Sequence, residues 1–249
     1  MKRLQNMLSN KQFLDKILTS FKEFISSGTS RSTAKLKPLH GAIAADIAER
    51  LGDGYKVYSQ GFGKGKEKKI DGRYIDKMVD ITIEEVKTNK PVAGIGVKFV
   101  MQNYSQNSNN YFENMLGETA NIRTANCPYF QIFIILDKLP YYQNSGTLKK
   151  WEEFTDHNMS KYCKLSADNT DVFLHTPNKT LICVAHIGPK IPNETSTKKE
   201  YLTFFRDRLG QLTIDYSTHR YNGLTENGTI IMNDYEMFIE KVYHTIMAI

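Results

Sequence analysis

The 249-residue chain is poor in cysteine, having only Cys127, Cys163 and Cys183, with no Cys-x-x-Cys pair. An odd number at wide spacing argues against a disulfide framework and offers no structural zinc site. The thiols are therefore expected to be reduced, in a cytoplasmic protein. Long apolar runs are missing as well: none approaches the roughly 20 residues that cross a bilayer, so no membrane contact is expected. After Met1-Lys2-Arg3 the N-terminus lacks the apolar core of a secretory leader. Prolines are few, and there is no internal repeat or low-complexity tract. What is present suits a globular chain with a substantial core, 40% hydrophobic and 24% charged. The net charge of +6 leans toward a polyanionic partner without establishing one.

Hydrophobic periodicity predicts a helix over residues 10–27, with Phe13, Leu14, Ile17, Leu18, Phe21, Phe24 and Ile25 on one stripe. A polar linker over Ser26–Lys37 leads to a second helix that starts at Pro38 and stops at Gly52. Leu39, Ile43, Ile47 and Leu51 form its large stripe; Ala42, Ala45 and Ala48 form a small face bordered by Glu49. Tyr55–Gln60 reads as a strand, followed by a glycine- and lysine-rich loop over residues 61–69. Lys64 and Lys66 in this loop are candidates for contacting a nucleic-acid backbone, although the loop lacks the phosphate-binding Gly-Lys-Ser/Thr pattern. Tyr129–Leu136 and Thr180–Ile187 are buried strands, and residues 147–164, 197–209 and 234–247 are expected helices. Without regular strand–helix alternation, the pattern predicts one domain of the α/β class, α+β in type, with a mixed central sheet flanked by helices.

Two apolar runs each carry one charge among β-forming neighbours: Asp80 in Met78–Ile83 and Lys98 in Pro91–Met101. The polar residues 84–90 can turn the chain, so the two runs pair as a hairpin. A helix expected over Asn110–Arg123 then adds Glu113 and Glu118. Carboxylates beside a lysine suit phosphodiester hydrolysis. A hard divalent cation needs only one or two carboxylates, and a lysine can orient water and offset charge growing on phosphorus.

The order Val79-Asp80, hairpin, Gly96-Val97-Lys98 resembles the PD-(D/E)XK nuclease superfamily, with one departure: Gly96 stands where an acid is usual. A subgroup of type II restriction endonucleases carries that acid on the following helix, and Glu118-x-x-Asn121-Ile122-Arg123 is similar to its pattern. The resemblance covers residues 38–138 as a catalytic core, leaving 1–37 as an N-terminal helix and linker and 139–249 as sheet completion and DNA recognition. It implies a restriction-endonuclease-like core, Mg2+ with Mn2+ able to substitute, and Asp80 and Glu118 as ligands, with Glu113 the competing choice. Lys98 is implied to position the water, with Glu49 as a supporting metal contact from the preceding helix. The literal acid-x-lysine match Glu85-Val86-Lys87 lies too close to Asp80 and reads as the hairpin turn; His40 reads as structural. Double-stranded DNA is the implied partner, with Gln102, Asn103, Gln106, Asn107 and Arg123 as candidate contacts. A homodimer and a separate cognate methyltransferase are expected with it. A repair or recombination nuclease, and an inactive DNA-binding protein, are the competing readings.

Overall fold

A serine opens the first helix of the computed structural model, which describes residues 7–28 and 33–249. Residues 29–32 of the expected linker, and the N-terminal residues on which the leader argument turned, lie outside the described residues. Helix α1 (Asn10–Ser27) starts with a capping box between Ser9 and Gln12 and ends on Gly28 in the left-handed conformation, φ 66°. Its predicted stripe is buried as one face, Leu18 only in part. Helix α2 (Lys37–Leu51) carries Pro38 in its first turn, where a missing N–H costs nothing.

In chain order the strands are β1 (Tyr55–Ser59), β2 (Lys68–Asp71), β3 (Asp76–Val79), β4 (Ile81–Glu85), β5 (Lys90–Val100), β6 (Tyr129–Leu136), β7 (Lys138–Tyr142), β8 (Leu148–Glu153), β9 (Thr180–Gly188), β10 (Thr213–Tyr216) and β11 (Ile230–Met232). The main sheet runs β1-β4-β5-β6-β9-β10, and β11 also pairs with β9. Pairs β1–β4, β4–β5 and β9–β10 are antiparallel; β5–β6, β6–β9 and β9–β11 are parallel. The sheet is thus mixed, and helices flank it. Parallel neighbours need a crossover, and helix α3 (Tyr104–Arg123) supplies it between β5 and β6. Strand β6 is buried at every position, as expected of a parallel strand covered on both faces. The remaining helices are α4 (Asp156–Ser166), α5 (Lys198–Arg206) and α6 (Tyr235–Met247). One hydrophobic cluster runs from Leu8 on the approach to α1 to Ile246 in α6. All three cysteines are free and buried. Among the described residues no helix is long and apolar enough to cross a membrane.

Three elements differ from the sequence expectation. The run Met78–Ile83 is broken at Asp80: Val79 pairs with Lys68 of β2, while Ile81 pairs with Ser59 of β1 and Ile95 of β5. The chain changes sheets at the aspartate. Helix α3 begins at Tyr104, six residues early, so the expected loop over Gln102–Asn110 is mostly helix. Its Asn- and Ser-rich start has weak helix propensity, but tertiary contacts override this. Tyr104 is buried against Phe154 and Phe133, and the Glu152 carboxylate accepts the Ser105 N–H at 3.3 Å. The helix expected over 147–164 divides into β8, paired antiparallel with β7, and α4, whose capping box at Thr155 and Asn158 sets its start.

Candidate active site

Asp80 occupies the gap between β3 and β4, where its side chain replaces a ladder contact: Val97 N–H donates to Asp80 Oδ2 at 2.7 Å. This anchors the carboxylate beside β5. Residues two apart on a strand share a face, so Gly96 and Lys98 look the same way along β5. Both line a cavity of about 380 Å³, together with Asp80, Asn114, Glu118 and Gln131. The sheet provides the aspartate and the lysine; the crossover helix lowers Glu118 onto them.

Glu118 is held at both oxygens. Oε1 pairs with Lys77 Nζ at 2.6 Å, and Oε2 accepts the Tyr129 hydroxyl at 3.3 Å. Burial, reinforced by Glu118 and Asp80, raises the Tyr129 pKa well above its ordinary value, so the group stays a phenol that donates. Burial and then the field of Glu118 push Asp80 up to about 6, against the Val97 N–H, Lys98 and Lys77. Lys98 places its Nζ 4.4 Å from the centre of the Tyr111 ring. Burial lowers its pKa, while Asp80 and Glu118 pull it back up. Lys35, from the short 3-10 turn Thr33–Leu36, lines the same cavity. Its pKa is lowered by burial and by the neighbouring Lys98. A cavity lined by two carboxylates and two lysines suits a cation together with a phosphate. The buried Gln131 also lines this cavity, beside the Tyr129 hydroxyl.

Behind Asp80 lies a second group. Helix α2 meets the glycine-rich loop at backbone contact: a β-carbon on Gly41 would lie 2.4 Å from Gly61 O, and one on Gly61, at φ 82°, would lie 2.2 Å from Lys37 O. This close approach brings His40 against Glu67 and Asp80, and one ligand-capable atom from each lies within 4.8 Å of the others. His40 is 4% exposed, and burial pushes its pKa down to about 4, so the ring is neutral. Burial and Asp80 raise the pKa of Glu67, against a hydrogen bond from Gln60.

Not every predicted site residue joins this assembly. Glu49 lies about 2.5 turns along α2 from His40, roughly 13 Å of helix. It borders a separate cavity of about 970 Å³ with Asp53, Phe62, Lys64 and Lys66. The helical residue that reaches Asp80 is His40, which the sequence reading left as structural. Glu113 is exposed, with its charge directed to Lys161, whereas Glu118 is on the cavity wall. Arg123 donates to the Thr176 carbonyl at 2.6 Å and ties α3 to the loop between α4 and β9. Asn103, at φ 54° before α3, accepts the Tyr142 N–H at 2.9 Å. Both side chains carry internal hydrogen bonds at positions where DNA contacts were expected. Gln102, Asn103 and Asn107 line a cavity of about 250 Å³ that shares Lys98 and Tyr111 with the first, while Gln106 is exposed. The Glu85-Val86-Lys87 match is at the β4–β5 turn, with Glu84 and Glu85 still in β4.

Lys77, Tyr129, Gln131 and Glu67 were missed. Gln131 carried a readable signal, a lone polar residue inside an apolar strand, as at Asp80 and Lys98. Lys77 and Glu67 carried none, each being one charge among many in a polar stretch. The chain matches no protein-family model, no curated protein and no solved structure.

Proposed function

We propose that the protein is a Mg2+-dependent endonuclease that hydrolyses phosphodiester bonds of double-stranded DNA, in the manner of type II restriction enzymes of the PD-(D/E)XK superfamily. The observation that carries this reading is the convergence of Asp80, Lys98 and Glu118 on one cavity from three separated stretches of chain. Asp80 and Glu118 are the residues that would hold the cation, which would supply Lewis-acid stabilisation of the charge developing on phosphorus. The donor set fits: two carboxylates line one cavity, and the burial that chiefly raises the Asp80 pKa, with Glu118 adding to it, would be offset by a bound cation.

The chain's own groups then have separate tasks. Val97 N–H fixes the Asp80 carboxylate, and Lys77 with Tyr129 fixes Glu118. Lys98, whose lowered pKa brings it nearer to proton exchange, orients the attacking water against the phosphate. Lys35, which lines the same cavity, would add a second positive charge toward a bound phosphate. Water adds to phosphorus while the bond to the leaving sugar oxygen breaks. Cleavage of symmetric sites would be carried out by a homodimer.

The competing reading with an observation in its favour is a non-catalytic DNA-binding protein. Lys77 already gives Glu118 a cation of its own, and Gly96 leaves the usual acid position without a carboxylate. Incubation of the protein with plasmid DNA and Mg2+ separates the readings. Discrete fragments support the restriction-type enzyme; nicking that depends on DNA structure supports a repair nuclease. Binding with no cleavage supports the inactive protein.

A further inference from the structure

We propose that His40, Glu67 and Asp80 form a second cation site, joined through Asp80 to the cavity that holds Lys98, and that it takes a first-row transition ion such as Mn2+, Co2+ or Zn2+ in preference to Mg2+. Three ligand-capable atoms lie within 4.8 Å of one another. Metal–ligand bonds of 2.0–2.2 Å set ligands of one ion about 3–3.5 Å apart, so small side-chain adjustments close the triad. Three protein ligands leave positions open for water, as in reactive rather than purely structural sites.

Acidic residues that merely cluster would not carry this. The second observation is His40 itself, 4% exposed with its Nε2 lacking any hydrogen-bond partner. Buried polar atoms are nearly always satisfied, so an unpaired nitrogen on a buried imidazole that is grouped with two carboxylates requires a reason. Metal ligation by the imidazole accounts for the missing partner and for the two acids grouped with His40. The imidazole is held neutral by burial, which is the form that ligates.

The imidazole also sets the class of ion. Mg2+ prefers oxygen ligands and retains its waters, whereas nitrogen-and-carboxylate sets suit the later first-row ions. The placement is built into the backbone, since the glycine contact between Gly41 and Gly61 sets how near α2 comes to the Glu67 loop. Asp80 belongs to both groups, so the two sites share one carboxylate. Glu118 serves only the first and His40 only the second.

The assignment rests on ligand geometry and holds whether or not the protein cleaves DNA. The test is titration of the metal-free, full-length protein with Co2+, read by visible absorption and by calorimetry. Wild type is expected to bind Co2+ and to keep it against a hundredfold excess of Mg2+. His40→Asn is expected to weaken binding at least tenfold, and Glu118→Gln to leave the His40-dependent absorption in place. Absence of Co2+ binding by wild type, displacement by that excess of Mg2+, or unchanged affinity in His40→Asn overturns the proposal. Loss of the same absorption in Glu118→Gln also overturns it. Should His40→Asn fail to fold, Glu67→Gln decides, at a half-exposed position: a tenfold loss supports the site and unchanged binding overturns it. DNA cleavage with Co2+ binding indifferent to His40 would sink this site while leaving the nuclease reading intact.

Discussion

A β-carbon on Gly96 would lie 2.7 Å from the Tyr129 hydroxyl. The position where a carboxylate is usual in an acid-x-lysine pattern is therefore filled by a phenol from the neighbouring strand, and the Gln131 side chain crowds the same space at 2.8 Å. The phenol in turn donates to Glu118, the acid from the helix. Glycine here is a steric requirement of that arrangement.

Restoring the acid in place should consequently fail. Gly96→Asp is expected to lower stability by about 1–3 kcal/mol, as overpacking does, and to bring no gain in DNA cleavage. Urea denaturation and plasmid cleavage check both halves; a stable, more active variant would contradict the account of Gly96.

Lys98→Ala should reduce cleavage by on the order of a hundredfold or more, with the urea midpoint little changed because the side chain is at the cavity and not in the core. Cleavage that survives the substitution removes Lys98 from the site.

The three candidate glutamates should separate cleanly. Glu118→Ala is expected to lose on the order of a hundredfold in cleavage at saturating Mg2+. Glu113→Ala and Glu49→Ala, neither of which lines the cavity, should stay within about threefold of wild type. Parallel cleavage time courses of the three variants decide the matter.

Asp80 and His40 should tilt the pH dependence of stability in opposite directions. The Asp80 carboxyl, raised from 3.8 to about 6, stays protonated in the fold after the unfolded chain has ionised, so stability falls as pH rises between these values. The His40 ring, lowered from 6.5 to about 4, takes up its proton first in the unfolded chain, so stability rises with pH across that range. Between pH 4 and 6 the slopes oppose, each at most about 1.4 kcal/mol per pH unit. Asp80→Asn should leave a rising profile and His40→Asn a falling one, measured by urea denaturation in the presence of a chelator.

Asn121 is expected to act as a clamp on the turn between β2 and β3. Its Oδ1 accepts the N–H groups of Tyr74 and Ile75 at 2.9 and 3.2 Å, and its Nδ2 donates to Ile75 O at 2.8 Å. Asn121→Ala should cost about 1–3 kcal/mol and speed amide hydrogen exchange at Tyr74 and Ile75. Unchanged exchange there would deny the clamp.

Much of the frame could be read from local pattern. The stripe of α1, the proline-initiated α2, the buried strands β6 and β9 and the β4–β5 hairpin all follow from short-range periodicity and turn chemistry. Asp80 and Lys98 stood out for the same reason, each being a lone charge in an apolar run. Elements whose state depends on distant partners were not readable. The start of α3 depends on Glu152 and the aromatic contacts of Tyr104, and β8 is a strand because β7 lies beside it.

The linear chain thus carried the aspartate, the lysine and a choice of acids, because residue type and spacing along one strand or helix face are local properties. Tertiary packing decided which of those groups meet. Glu118 reaches the cavity because the crossover helix lies over β5 and β6, and Glu49 does not because α2 presents its other end to Asp80. His40 and Glu67 are brought together by a backbone contact between two glycines, Gly41 and Gly61. Such a contact depends on the absence of side chains at two positions twenty residues apart, which no periodicity records.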